Sequence, residues 1–176
     1  RQTKYTSNLQ KRCNPMELNV KFDQKDFRNA LGCFGTGVTV ITTRDQDGKH
    51  YGVTVSSFNS VSLDPPLILW SQGKEAPSHK VYRENARFVV NILSADQAEV
   101  SNQFARPSEN KFQGLDCTYT EDGIAILPGT SGHFECITQN MIEGGDHIIF
   151  LAQVTSYKHH ADTSPLFFWK GKYITP

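Results

Sequence analysis

The chain has no surplus of either charge: 18 lysines and arginines balance 18 aspartates and glutamates over 176 residues. Without a basic field it has little to hold a nucleic acid or an anionic membrane surface, so neither is expected as a partner. It also lacks a long apolar run. A membrane helix needs about 20 such residues, whereas Leu67–Trp70 and Ile148–Ala152 have strand length. No charged-then-apolar leader is visible, and a cytoplasmic location is expected. Cysteine is scarce and scattered. Cys13, Cys33, Cys117 and Cys136 include no C-x-x-C pair, which argues against structural zinc or a thioredoxin-like motif and for reduced thiols. His159 and His160 would point to opposite faces of a strand, with no carboxylate or cysteine at ligand spacing, so no metal is expected. Neither G-x-G-x-x-G nor G-x-x-x-x-G-K-[ST] occurs, so any nucleotide must be held by something other than a Rossmann turn or a P-loop. Internal repeats and low-complexity runs are absent. The length suits one domain, read as a polar arm over residues 1–20 followed by a domain over residues 21–176.

What is present reads as strands with turn and proline punctuation. Asp23 is placed to cap a helix whose Phe27, Ala30, Leu31 and Phe34 recur at i, i+3, i+4 and i+7, one apolar stripe expected to face a core and to end at Gly35 and Gly37. The β-branched run Val38–Thr43 and the Asp47-Gly48 turn predict a hairpin with the strand holding Val53 and Val55. Leu67–Trp70 reads as a strand buried on both faces, followed by a loop, Ser71-Gln72-Gly73-Lys74. Arg87–Leu93 is strand-like, and Ser94-Ala95-Asp96-Gln97 is a capping box opening a helix towards Phe104. Later strands are expected at Phe134–Thr138, where Cys136 reads as a small buried residue, at Ile148–Thr155 and at Leu166–Trp169, with Lys170-Gly171 turning before Tyr173. There is no regular strand–helix alternation, so an antiparallel barrel with peripheral helices fits better than a parallel sheet.

The densest chemistry lies between Gly52 and Pro66. In an extended chain Val53 and Val55 face one way and Thr54 and Ser56 the other, until Asp64-Pro65-Pro66 removes two donors and stops the ladder. Such a face suits a ligand wall that donates hydrogen bonds without charge; it equally suits a strand with a polar solvent side. A second candidate is the loop at Lys74. With Ser78 as N-cap of a short helix, backbone N–H groups and the lysine would together favour an anion such as phosphate.

Four blocks carry a resemblance to a known family. They are Phe27-Arg28-Asn29-Ala30-Leu31-Gly32-Cys33-Phe34-Gly35-Thr36-Gly37-Val38-Thr39-Val40, the Gly52–Pro66 stretch, Gly145-Asp146-His147, and the closing Pro165–Tyr173 segment. From about Phe22 to Tyr173 the chain resembles the flavin reductase-like proteins, typified by the small reductase components of two-component flavin-dependent monooxygenases. The resemblance implies a mainly β (α+β) fold, an antiparallel FMN-binding split β-barrel with short peripheral helices. Gly35 stands where many relatives carry proline before the Thr36-Gly37 pair, which alters the loop beside the flavin ring.

Carried over by resemblance, Thr36, Gly37, Thr54, Val55, Ser56 and Ser57 line the flavin. Ser71, Gln72, Gly73, Lys74 and Ser78 surround its phosphate end, and Ala105, Arg106 and Lys111 approach from the later loop. Gly145, Asp146, His147 and Tyr173 lie on the side of the nicotinamide cofactor, with His147 in binding rather than proton transfer. The implied activity is hydride transfer from NADH or NADPH to FMN or FAD, with reduced flavin passed to a separate oxygenase component. A homodimer is also implied. Two other readings keep the flavin: a reductase of a ferric chelate or corrinoid with flavin as prosthetic group, and a non-catalytic FMN-binding electron-transfer protein. A domain that uses the Ser-rich face for a protein partner would bind no flavin at all.

Overall fold

The computed structural model describes residues 20–174, so the proposed arm, apart from Val20, and Cys13 lie outside the described residues. The chain divides into two compact units between Leu31 and Gly32. In the first, α1 (Gln24–Leu31) starts where the spacing predicts, with the Asp26 N–H donating to Asp23 Oδ1 at 2.8 Å. The burial expected for its stripe is not supplied by the described residues of this unit. No residue of α1 is buried, Phe27 and Leu31 are 50% and 60% exposed, and Phe34 lies beyond the helix end. The period of 3.6 identified the stripe, but periodicity alone does not say what covers it.

The second unit is built on a seven-stranded antiparallel sheet. Its strands are β2 (Thr39–Arg44), β3 (His50–Val55), β4 (Asn59–Leu63), β5 (Pro66–Gly73), β6 (Arg87–Ile92), β9 (Gly132–Gly144) and β10 (His147–His159), in the spatial order β3-β2-β6-β9-β10-β5-β4. The two edge strands, β3 and β4, are consecutive in sequence and joined by residues 56–58 alone. A flat sheet would hold its first and seventh strands about 28 Å apart, and three residues span roughly 10 Å. The sheet must therefore curl strongly enough to bring its two edges within the reach of three residues, in line with the antiparallel, mainly β architecture expected from the sequence. A small second sheet, β1 (Thr36–Gly37), β11 (Phe167–Trp169) and β12 (Lys172–Ile174), and a short pair, β7 (Thr118–Tyr119) with β8 (Ala125–Ile126), complete the strands. Lys170 and Gly171, both at positive φ, form the predicted turn between β11 and β12.

Strand parity divides the core in two. Ile41, Ile68, Trp70, Phe88, Val90, Ile148 and Phe150 fill one cluster, with Trp70 stacked on its cross-strand partner Phe150 at 4.5 Å. Val38, Val40, Leu93, Phe104, Leu127 and Leu166 form the other, beneath α3 (Ala98–Ala105). The buried polar groups around Asn91 satisfy one another across the strands. Asn91 donates to Val40 O and Thr42 Oγ1 and accepts from the Leu127 N–H, while Thr42 Oγ1 donates to Ala125 O. Two further expectations need correcting. β5 is buried on one face, where Ile68, Trp70 and Gln72 alternate with half-buried Leu67, Leu69 and Ser71. Ser71, Gln72 and Gly73 are strand rather than loop, held by the ladder to β10 in which Gly73 faces His147.

Cys136 is buried as expected, and burial pushes its thiol up to about 12. In the unfolded chain the thiol ionises from its ordinary value near 9.0; between there and about 12 the unfolded state has lost a proton that the native state keeps. Stability therefore falls as pH rises through this window, by about 1.4 kcal/mol per unit from this group. Denaturant unfolding of wild type and Cys136→Ala at stepped alkaline pH checks it: the variant's decline is expected to be shallower by that slope.

Candidate functional site

A cleft of about 310 Å³ opens where the start of β3 meets the end of α3 and the segment before α2 (His79–Glu84). Gly52, Val53, Ser78, Ala105 and Lys111 line it. Three of the residues implied by resemblance, Ser78, Ala105 and Lys111, thus meet in one place although up to 33 positions separate them in the chain. Arg106, exposed, follows as the C-cap of α3.

Lys111 forms the cationic wall of the cleft. Its ammonium donates to Phe104 O at 2.8 Å and Gly52 O at 3.1 Å. An ammonium carries three protons, so one remains for a ligand. Desolvation holds its pKa below the ordinary lysine value. Gly52 has to be glycine for this arrangement, because a Cβ there would lie 2.4 Å from the Phe104 ring. Glycine inside a strand is a known mark of such close approach, and it was the signal available in the sequence for this position.

A second group gathers at the β9–β10 turn. Lys74 leaves β5 with its N–H bonded to Asp146 O at 2.9 Å, and its ammonium donates to Gly145 O at 2.7 Å and pairs with Glu143. Glu143 was not foreseen from sequence. The Lys74 ammonium beside it holds its carboxyl below the ordinary range. Gly145 takes a positive φ at the turn, and Asp146 Oδ1 lies 2.7 Å from His147 Nδ1. That contact keeps the Asp146 carboxyl below its ordinary value. Gly73, Lys74, Gly145, Asp146 and His147 therefore form one corner, which Gln72 links to the cleft by donating from Nε2 to Ser78 Oγ at 3.0 Å. Ser78 makes no side-chain cap to α2, which is only six residues long. The anion-binding helix end expected there is replaced by this hydrogen bond.

The hydroxyl wall is partly committed to the protein itself. Thr54 Oγ1 donates to Ser101 O at 2.6 Å, and Ser57 Oγ both donates to Ser71 O and accepts from the Ser71 N–H. Val55 faces the first core cluster. Ser56 is exposed, and its hydroxyl makes no hydrogen bond among the described residues. Tyr173 lies away from the His147 corner in the hydrogen-bond network: its hydroxyl meets Ser101 Oγ at 2.8 Å and Asn102 Oδ1 at 3.1 Å, close to Thr54. Thr36 and Gly37 sit in the small sheet against Phe168 and Phe167, and Thr36 Oγ1 is buried without a partner. The residues suit a flavin: a concave, largely apolar wall, one spare ammonium proton, an uncommitted serine and an orphaned buried hydroxyl.

Comparison with known proteins agrees with this chemistry. Residues 31–175 match the flavin reductase like domain. A protein named as a flavin reductase in Rhizobium meliloti (strain 1021) is 42% identical over 155 residues, 88% of this chain. The chain spans about half of that relative's length, 50%. The FMN reductase (NADH) SmoA of Agrobacterium fabrum is 42% identical over 151 residues, 86% of this chain and 85% of its own. Further relatives are named as reductase components of flavin-dependent monooxygenases. Among solved structures, the NADH:FAD oxidoreductase SgcE6 of Streptomyces globisporus, in complex with NAD and FAD fragments, superposes with a TM-score of 0.83 at 34% identity, covering 89% of this chain and 96% of that one.

Proposed function

The chain belongs to the flavin reductase like domain family, and from that premise we propose that it is an NAD(P)H-dependent flavin reductase that acts on FMN or FAD and supplies reduced flavin to a partner oxygenase. The observation that carries the reading is the cleft in which Lys111, Ser78 and Ala105 converge beside β3. A bound flavin supplies the hydride-accepting ring, so the protein needs no nucleophile or strong base. Its own residues bind and align. Ser56 and the backbone around Thr54 and Val55 face the ring edge, and Lys111 and Ser78 meet the phosphate end. The His147 corner, stiffened by the Lys74–Glu143 pair, borders the approach of the nicotinamide cofactor; Tyr173 supports the wall through Ser101 rather than joining that corner. Kinship with reductase components supports a separate oxygenase as partner. A homodimer accords with apolar side chains exposed on β9, Met141 and Ile142.

The test is anaerobic mixing of the protein with excess FMN or FAD and either NADH or NADPH, following flavin bleaching against a protein-free control. Catalysed bleaching is expected, and the fastest pair identifies both cofactors. No acceleration with any pair would overturn the reading.

A further inference from the structure

On the far side of Ala76 and Pro77, which also wall the flavin cleft, lies a second and more polar cleft of about 590 Å³. Lys74, His79, Lys80, Arg83 and Glu84 line it. Two of its cations have carboxylate partners. Lys74 is paired with Glu143, and Lys80 lies 3.7 Å from Glu84 in a contact whose side chains are mostly exposed. The Arg83 guanidinium makes no ion pair or hydrogen bond among the described residues. It is the surplus charge, since three fixed cations face two carboxylates.

Its field is felt across the cleft. Burial holds the His79 imidazole below its ordinary pKa; the Arg83 cation deepens that effect, Glu143 opposes it, and Lys74 adds to it. The Glu143 carboxyl is also held down, by Lys74 first and by Arg83 at longer range. His79 is anchored from behind: the Gln72 amide oxygen can only accept, so the 3.2 Å contact places the imidazole proton on Nδ1. Gln72 in turn donates to Ser78 of the neighbouring cleft. The polar cleft is thus joined to the flavin cleft by a shared wall and by one hydrogen-bond chain.

Planar guanidinium groups with open donors favour phosphate, which they can hold through two parallel hydrogen bonds. We propose that this cleft is a phosphate subsite for a nucleotide cofactor, with Arg83 as its principal ligand and Lys80 as the second cation. The inference rests on the flavin reductase reading for the identity of the nucleotide. With the flavin 5′-phosphate assigned to Lys111 and Ser78 in the first cleft, the phosphate held here is the 2′-phosphate of NADPH, and Arg83 sets the choice between NADPH and NADH.

The experiment is calorimetric titration of flavin-free protein at low salt with 2′,5′-ADP against 5′-AMP, and with FMN against riboflavin, for wild type and Arg83→Gln. Arg83 is exposed at a helix end, so the variant is expected to fold, and its melting curve checks this. Wild type is expected to bind 2′,5′-ADP at least tenfold more tightly than 5′-AMP, with most of that preference lost in Arg83→Gln and partly kept in Arg83→Lys, while its preference for FMN over riboflavin changes less than twofold. No preference for 2′,5′-ADP in wild type, a preference that Arg83→Gln leaves within twofold, or a loss confined to FMN overturns the proposal. Because no redox step is read, a protein that fails to bleach flavin but still shows Arg83-dependent preference refutes the reaction and supports the subsite.

Discussion

Gly52→Ala is expected to lower the melting temperature by roughly 2–12 °C and to weaken flavin binding in the same protein. The added Cβ would fall 2.4 Å from two atoms of the Phe104 ring and 3.4 Å from Phe112. Phe104 has no exposed surface, packs edge-on to Phe112 and belongs to the second core cluster, so it cannot swing aside without opening that cluster. Overpacking of this kind costs about 1–3 kcal/mol, and a domain of this size loses about 2–4 °C per kcal/mol. The effect reaches the site because the carbonyls of Gly52 and Phe104 together hold the Lys111 ammonium. Pushing the two backbones apart breaks that pair of hydrogen bonds. Gly37→Ala is the control for the melting temperature alone, since its Cβ would have nothing within 4 Å. Thermal unfolding and fluorescence titration with FMN decide the matter. A melting point and an affinity both unchanged for Gly52→Ala would mean that the ring accommodates the methyl, and the account of this wall would fail.

Much of the fold was legible because it rests on period and punctuation. Alternation identified β3 and the Cys136 strand, Asp47-Gly48 and Lys170-Gly171 marked the turns before β3 and β12, and the prolines marked the end of β4 at Leu63, although Pro66 opens β5 and pairs with Leu63 instead of stopping the ladder. Gln97 returns to the Ser94 N–H as a capping box requires, although α3 begins only at Ala98. What failed had a common cause. The extent of β5 depends on a ladder to β10, and nothing in Ser71-Gln72-Gly73 itself has high strand propensity. The stripe of α1 is real as a pattern, but burial belongs to the partner surface and not to the helix.

The site was legible as a set of residues and less so as a set of roles. Parity placed Thr54 and Ser56 on one face, yet it could not say that Thr54 would spend its hydroxyl on Ser101 while Ser56 stayed open. Lys74 and Lys111 looked alike as loop lysines. Long-range partners separate them: Glu143, 69 positions away in sequence, neutralises Lys74, which also donates to the Gly145 carbonyl 71 positions away, whereas Lys111 binds only two uncharged backbone carbonyls and keeps its charge unpaired among the described residues. Single-sequence reading has no access to such pairings, since each depends on how the sheet rolls.

Lys111→Met is expected to reduce FMN affinity at least tenfold while changing riboflavin affinity less than twofold. The argument turns on what the ammonium does with its third proton. If that proton meets the flavin phosphate, its loss removes a charge-assisted hydrogen bond of about 1.5–3 kcal/mol, which riboflavin never makes. If Lys111 serves only to tie Gly52 to Phe104, both flavins lose affinity equally and the melting temperature falls with them. A pH series separates the two roles further. Desolvation lowers the Lys111 pKa in the folded state, so on raising the pH the native protein gives up this proton before the unfolded chain does. The burial penalty on the charge is then relieved, and the contribution of Lys111 to stability rises with pH below the ordinary lysine value near 10.4. The anion site disappears over the same interval. Stability, taken as wild type minus Lys111→Met, and FMN affinity should therefore move in opposite directions as pH climbs. A wild-type FMN affinity that stays level through that interval would remove the ammonium from the phosphate site and leave Lys111 a purely structural residue.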